Sequence, residues 1–410
     1  MLLITPLFII IAPPRHQRMK LKRYIPLGIV LLVGVLLWVN WSNWFGDLPE
    51  PDFELPDTPQ RLFITAGEDG LNDRSFSWVS GSEQPFSFTL VKDSLAQVYR
   101  PSHEAITTGG GTTHIYNVRV NHLSEGAYKC FVTTEAPRDT LRGDFTIYPN
   151  DGVIDLLFIG DIQDRSDTGS RELFQEIYSR FPDMDGWLFI GDMIERPHNQ
   201  WWDFFYHTVD SIAPHTVFLP TPGNHEYELG GLWSLGSRYV ATFPMPLNGN
   251  KITNYFVDYP TVRVIALETN NLLWDYSGSR KWLEQSIETS PAPFTIVMGH
   301  HGVYSVRKWR VNPDMKYGIN PILKEHSVDL LLQGHDHAFS RNGVAPDRPI
   351  YITMSTSDKQ YPVGNPNNHT VSESGNRYYS HIRITNDTLY FDTYRGDHSL
   401  IDSFELPRKS

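Results

Sequence analysis

Val328-Asp329-Leu330-Leu331-Leu332-Gln333-Gly334-His335-Asp336-His337 decides how the rest of this 410-residue chain is read. An apolar run that stops at glycine is a strand that releases the following residues into a loop. Two histidines one residue apart can then aim their imidazoles at neighbouring points. That arrangement suits two metal ions about 3.5–4 Å apart. Four upstream stretches break in the same way, and each brings a residue of ligand type. They are Leu156-Leu157-Phe158-Ile159-Gly160-Asp161, Leu188-Phe189-Ile190-Gly191-Asp192, Gly223-Asn224-His225-Glu226 and Ile296-Val297-Met298-Gly299-His300.

From Val153 onward, strand-like and helical patterns alternate. Strands are expected at Ile154–Ile159, Trp187–Ile190, Thr216–Leu219, Val262–Leu267, Phe294–Met298 and Val328–Leu332. Helices are expected at Ser170–Phe181, Trp201–Ile212 and Ser279–Glu288. Such alternation predicts a layered α/β domain. In open α/β sheets, ligands collect at the carboxyl ends of strands. Every Gly-ligand break falls at such an end, so positions far apart in sequence should converge. Tyr379–Ile384 and Thr388–Tyr394 read as a closing hairpin that would complete a second sheet. Residues 346–377 read as a loop-like stretch bordering the site.

Asp161, Asp192, Asn224, His300, His335 and His337 together supply hard oxygens, imidazoles and a carboxylate able to bridge two cations. With no thiolate among them, the set suits Fe, Zn or Mn. Two such cations lower the pKa of a shared water and clamp phosphoryl oxygens. Net charge is −12. That argues against nucleic acid as the main partner, since phosphate-backbone binding needs a basic face. A small phosphorylated substrate remains compatible, because bound metals provide local positive charge.

The order Gly-Asp, Gly-Asp, Gly-Asn-His-Glu, Gly-His, Gly-His-x-His resembles the calcineurin-like metallophosphoesterase superfamily over residues 153 to 400. With a β-rich region ahead of it, the chain is most similar to purple acid phosphatases. Arg61-Leu62-Phe63-Ile64-Thr65 followed by Phe76-Ser77-Trp78 is similar to the opening of their N-terminal domain. The resemblance implies a sandwich of two mixed sheets flanked by helices, preceded by a fibronectin III-like β-sandwich. It implies a dinuclear phosphoric ester hydrolase, a phosphomonoesterase foremost, in which a metal-bridging hydroxide attacks phosphorus.

Carried onto this chain, it places Asp161 and His337 on one metal and Asn224, His300 and His335 on the other. Asp192 bridges the two. His225 becomes a proton donor to the leaving group or a hydrogen-bond donor to phosphate, and Asn224 also touches substrate. His300 rather than His301 is the expected ligand, because Tyr304 follows it at the family's His-x-Pro-x-Tyr spacing; Gly302 replaces the proline. His301 is then an outer neighbour. Two departures stand out. Gln163 occupies a position where many members have a ligand histidine, and Glu195 the position of the purple enzymes' tyrosine. Either is a candidate ligand or outer neighbour, and without tyrosinate no purple charge-transfer band is expected. Arg310 lies about where those enzymes carry further histidines, and its planar fork fits phosphate. The same metal core would also serve a phosphodiesterase or nucleotide pyrophosphatase. A reading of another class is a surface binding module with a vestigial metal site.

The remaining chain falls into three parts. Residues 1–45 hold a basic flank (Arg15, Arg18, Lys20, Lys22, Arg23) and then an uncharged stretch from Ile25 to Val39, with Trp38, Trp41, Trp44 and Phe45 at its exit. This is the pattern of a signal peptide or an uncleaved membrane anchor, with Met19 as an alternative start. The expectation is an exported protein, membrane-anchored with its catalytic domain outside the cytoplasm, or secreted if the segment is cleaved. Residues 46–60 combine prolines with acidic residues and read as an extended linker. Residues 61–150 hold short β-branched and aromatic runs between Gly, Asn and Ser turns, the pattern of an antiparallel sandwich. Residues 151–410 form the catalytic domain. Cys130 is the only cysteine, which excludes an intrachain disulfide and a zinc-thiolate site.

Overall fold

The computed structural model describes residues 26, 28–40, 49–134, 140–165, 169–228, 234–270 and 276–409. Residues 28–40 are helical, and no helix among the described residues is long and apolar enough to cross a membrane. The basic flank, Met19, Trp41, Trp44 and Phe45 lie outside the described residues.

Residues 49–410 carry the sheets. The largest has ten strands in the order Leu400–Pro407, Thr388–Arg395, Tyr378–Ile384, Ile154–Ile159, Gly186–Phe189, Val217–Pro220, Gln60–Ala66, Arg74–Ser80, Gly111–Val120, Ser102–Thr108. A seven-stranded sheet runs Tyr255–Asp258, Val262–Ala266, Phe294–Met298, Leu330–Gln333, Ile350–Thr353, Phe339–Asn342, Val371–Glu373. A smaller sheet pairs Leu95–Tyr99, Ser87–Lys92, Gly126–Thr133 and Leu141–Ile147. With few helices among several sheets, the architecture is mixed α/β and fits a metallophosphoesterase sandwich.

Strands in the seven-stranded sheet alternate between two environments, as the period of two demands. Val264, Ala266, Ile296, Met298, Leu330 and Leu332 face a core shared with Leu156, Phe158 and Leu188 of the ten-stranded sheet. Ile265, Val297 and Leu331 face the other way, onto Trp282, Leu283, Ile322 and Leu323. The last four lie on the helices Tyr276–Glu288 and Asn320–Glu325. The two sheets therefore pack face to face, with their ligand-bearing strand ends together.

Two expectations are corrected. The C-terminal hairpin completes no second sheet: Tyr378–Ile384 pairs antiparallel with Ile154–Ile159 inside the ten-stranded one, and a further strand, Leu400–Pro407, follows. Local alternation sets that a segment is a strand, but its pairing partner is chosen by tertiary contact. Residues 346–377 are only partly loop, for they contain Ile350–Thr353 and Val371–Glu373. The Pro-rich acidic segment lacks regular structure over residues 49–59, yet it is pinned down. The Glu50 carboxylate lies 2.8 Å from Arg238 and accepts the Asn199 N–H at 2.7 Å.

Gln60–Ala66 pairs in parallel with Val217–Pro220, so the β-rich region and the α/β region share one sheet and one core. Phe63 makes edge contact with Phe218 across that seam, ring centroids 5.6 Å apart.

Candidate metal centre

Each proposed ligand follows the end of a strand, and at several of the site residues the backbone turns sharply. Asp192, Gln163, His335 and His337 have φ of 51°, 47°, 72° and 49°, the left-handed region that L side chains rarely occupy. Each costs of the order of 1 kcal/mol or more and persists only where surroundings hold it. Gly191 allows the closest approach. Its φ is +89°, and a Cβ there would lie 2.2 Å from the Gly223 nitrogen. Glycine at both positions lets the Asp192 loop press against the Asn224 loop.

Two groups of ligand atoms result. Asp192, His300 and His335 form one; Asp161, Asp192 and His337 form the other, with the atoms in each within 4.8 Å of one another. Asp192 belongs to both. Asn224 joins the first group, its Oδ1 lying 3.2 Å from His300 Nε2, which is also 3.1 Å from His335 Nδ1 and 3.2 Å from Asp192 Oδ2. Three ligand-type atoms from three different loops thus converge on the Nε2 of a single imidazole.

Backbone carbonyls orient the imidazoles. His300 Nδ1 is 2.9 Å from the Ile190 oxygen, and His337 Nδ1 is 2.6 Å from the Lys359 oxygen. With Nδ1–H donated to a carbonyl, Nε2 keeps its lone pair for a metal. His225 is held the same way, Nδ1 to the Glu195 oxygen at 2.7 Å, which brings Nε2 to 4.0 Å from Asp192 Oδ2.

The donor set fits cations. Asp161 and Asp192 are carboxylates with 0% and 1% exposure. Burial raises the Asp161 carboxyl above its usual range, with His337 and His300 opposing. Burial also works against the Asp192 carboxylate, but His300 and His225 hold it well below the usual range. Burial disfavours a charged His300 too, yet Asp192 and Asp161 bring it up to about 9. Buried charges of this kind need a counter-charge, and imidazole plus carboxylate is the donor chemistry of Fe, Zn or Mn. Burial, then His301 and His300, depress His335 well below its ordinary value, so it stays a neutral donor.

The other named residues take different places. His301 bonds Thr269 through Nδ1 at 2.9 Å and lies beside His335, centroids 4.3 Å apart. Burial and the neighbouring His300 push it down to about 3, making it a neutral buttress. Gln163 donates its amide to Asp192 Oδ2 at 3.0 Å, while its carbonyl accepts from Lys359 at 3.1 Å. The Glu195 carboxylate points at Arg165 and Lys359, 3.5 and 3.9 Å away, and enters neither ligand group. Arg310 lies against the centre through Nη1, which donates to the His335 carbonyl at 2.6 Å and to Asp336 Oδ1 at 2.9 Å.

Two residues of the motifs do work that sequence reasoning left unassigned. Glu226, fully buried, accepts from the backbone N–H groups of Gly223, Asp192, Met193 and Ile194 at 2.6, 2.8, 2.8 and 3.3 Å. It ties the bridging loop to the Asn224 loop. Asp336, set between the two histidines, accepts from Val306 and Arg307 N–H at 2.6 and 3.3 Å. It clips residues 303–310 to the metal loop. The only sequence signal for either was membership of a motif.

Residues 154–339 match the calcineurin-like phosphoesterase family model. The chain is 27% identical to purple acid phosphatase 17 of Arabidopsis thaliana over 38% of its own length and 52% of that protein's. It is 25% identical to purple acid phosphatase 21 of the same plant over 66% of its length and 62% of that protein's. It thus spans roughly half to three-fifths of these curated relatives. A solved Plasmodium structure, titled "GAP50 the anchor in the inner membrane complex", aligns with TM-score 0.49 at 16% identity, covering 63% of this chain and 90% of that one. The convergent ligand groups lie within the part of the chain that is similar to the calcineurin-like phosphoesterases. Over the matched residues the sequence is similar to purple acid phosphatases.

Proposed function

We propose that this protein is a dinuclear metal-dependent phosphomonoesterase. The observation carrying that reading is the position of Asp192 in both ligand groups. One carboxylate shared between two sets of donors would serve two adjacent cations. Asp161 and His337 would complete one set; Asn224, His300 and His335 would complete the other. When bound, the cations supply Lewis acidity for water and for phosphoryl oxygens.

The chain's own groups do the rest. His225 keeps Nδ1–H on the Glu195 carbonyl and turns Nε2 toward the centre, the orientation of a proton donor to a departing alkoxide. Arg310 and Lys359 add positive charge at the rim, where a phosphate dianion enters. Burial of Asp161, Asp192 and His300 keeps bulk water from screening these charges. The basic-then-uncharged N-terminal stretch supports export, which cell fractionation tests.

The deciding experiment measures metal content and hydrolysis on one purified sample. Two bound cations and chelator-sensitive turnover of p-nitrophenyl phosphate, faster than of the bis ester, are expected. Faster bis-ester turnover would point to a phosphodiesterase. Metal-loaded protein inert on both would overturn the reading and favour a binding module.

A further inference from the structure

The chain beyond His301 turns apolar side chains outward. Within residues 307–317, Trp309 is 89% exposed, Val311 76% and Tyr317 71%. Exposed apolar residues scattered singly are ordinary, but several in one short stretch mark a surface that meets a partner.

The stretch is held, so this exposure is not slack chain. At its start the Val306 and Arg307 N–H groups donate to Asp336, and the Gly364 N–H donates to the Val306 carbonyl at 2.8 Å. In its middle Asn312 donates to the Gly302 carbonyl at 2.7 Å. Toward its end Met315 and Ile319 are buried in one cluster with Leu323 and Leu331. Trp309, Val311 and Tyr317 stand out from between these fixed points.

Folding supplies no reason for a tryptophan at 309. The Arg310 N–H donates to the Arg307 carbonyl at 3.4 Å, which closes a turn with Trp309 in its third place. Its φ is 67°, a conformation that favours glycine and strains a bulky side chain. The indole recovers nothing by burial, since it stands in water.

The charge around it has one dominant sign. Residues 307–317 carry Arg307, Lys308, Arg310 and Lys316 against a single carboxylate, Asp314, in a chain of net charge −12. Lys308 and Lys316 lie by the rings of Trp309 and Tyr317, Nζ 5.2 and 5.7 Å from the centroids. Arg310 is paired with Asp336, but neither lysine meets a carboxylate among the described residues. Surfaces that bind proteins are depleted in lysine. Tryptophan and tyrosine beside lysine instead match the boundary between water and a bilayer. Anionic headgroups draw the cations, and the lysine stems share the apolar layer.

We propose that residues 307–317 form a membrane-docking loop, which seats Trp309, Val311 and Tyr317 at the headgroup boundary of an anionic bilayer. This contact is separate from the N-terminal stretch and does not rest on the phosphoesterase reading. Asp336 and the Arg310 bond to the His335 carbonyl tie the loop to the candidate centre, so docking holds that centre near the lipid surface.

The test uses the full chain with vesicles of phosphatidylcholine and phosphatidylglycerol, the latter brominated along its acyl chains. Bromine quenches only an indole that reaches the lipid. The parent should be quenched more than Trp309→Phe, and the difference belongs to Trp309 even if Trp38, Trp41 and Trp44 also insert. Equal quenching in the two, or no association with these vesicles, would overturn the proposal. Co-sedimentation gives the size of the contact. Trp309→Gly should weaken binding about tenfold, the worth of half-burying a large apolar side chain. Its melting temperature should hold, because glycine takes this φ without strain. Lys308→Ala should weaken binding about fivefold, and vesicles of phosphatidylcholine alone should bind least. Equal affinities alongside unequal quenching would uphold the contact and assign the tether to the N-terminal stretch. A parent that self-associates in solution, with Trp309→Gly monomeric, would show the patch covered by a second copy and remove the membrane role.

Discussion

The ten-stranded and seven-stranded sheets meet the candidate centre with opposite chemistry. The first contributes Asp161, Asp192 and Asn224, one after each of three neighbouring parallel strands, and all are oxygen donors. The second contributes His300 and the pair His335 and His337, after two more, and all are nitrogen donors. Neither half suffices. The carboxylate half is costly to bury without positive charge. In the imidazole half, burial disfavours charge on His335 and His337 and backbone carbonyls aim His300 and His337, but it brings no bridging atom. The lesson is that the packed core between the sheets, Phe158, Leu188, Ile296, Met298 and Leu332 among it, is a condition for the chemistry as well as for the fold.

The largest effect should come from the one donor that both halves share. Asp192→Ala should take bound metal from two ions per chain to almost none. Turnover should drop about a thousandfold or more, given the several kcal/mol that such cations contribute. Elemental analysis beside kinetics checks this, and a variant that keeps both ions would break the comparison at its root.

A smaller and one-sided effect is expected from the imidazole half. His335→Ala should weaken one ion by more than the roughly 10–100-fold typical of losing an outer partner, and leave the other in place. Metal titration should then show one tight and one weak site; equal weakening of both would mean that the halves are not separable.

Glu226→Gln comes next. An amide can no longer offer two accepting oxygens to four N–H groups, and each donor left unpaired costs about 1–3 kcal/mol. The melting temperature should fall and metal affinity with it, as measured by calorimetry with and without metal. Unchanged values would deny the residue its tying role.

The smallest effect lies at the opposite end of the strand that leads to Asp192. Asp185 there is raised to about 6 by burial and by Asp155 and Asp151, against the Arg74 charge. The folded state therefore holds this proton more tightly than the unfolded chain does. Stability contributed by the protonated carboxyl should fade as pH rises from the ordinary value of 3.8 through about 6. Asp185→Asn should flatten that slope without altering metal content. Thermal melts across the window, with metal analysis at each end, separate a buried acid from a ligand acid.

Much of the centre was legible because its signal is local. A glycine after an apolar run marks where a strand ends, and the next polar residue marks what is presented. The structure brings Asp161, Asp192, Asn224, His225, His300, His335 and His337 into one place. What was not legible depends on contacts remote in sequence. Asp336 matters through Val306 and Arg307, and Lys359 through Gln163 and the His337 ring. Nothing local announces such partners. The union of Gln60–Ala66 with Val217–Pro220 was hidden for the same reason, since a strand's own alternation does not name its neighbour. Glu50 looked like part of an acidic tether because its cation, Arg238, lies 188 residues away.

The central claim is that two cations sit between the sheets and share Asp192. Anomalous diffraction from metal-soaked crystals measures this directly. Two peaks about 3.5–4 Å apart, with the Asp192 carboxylate between them and His335 and His337 on opposite sides, are the predicted result. A single peak, or a pair not flanking Asp192, would contradict it.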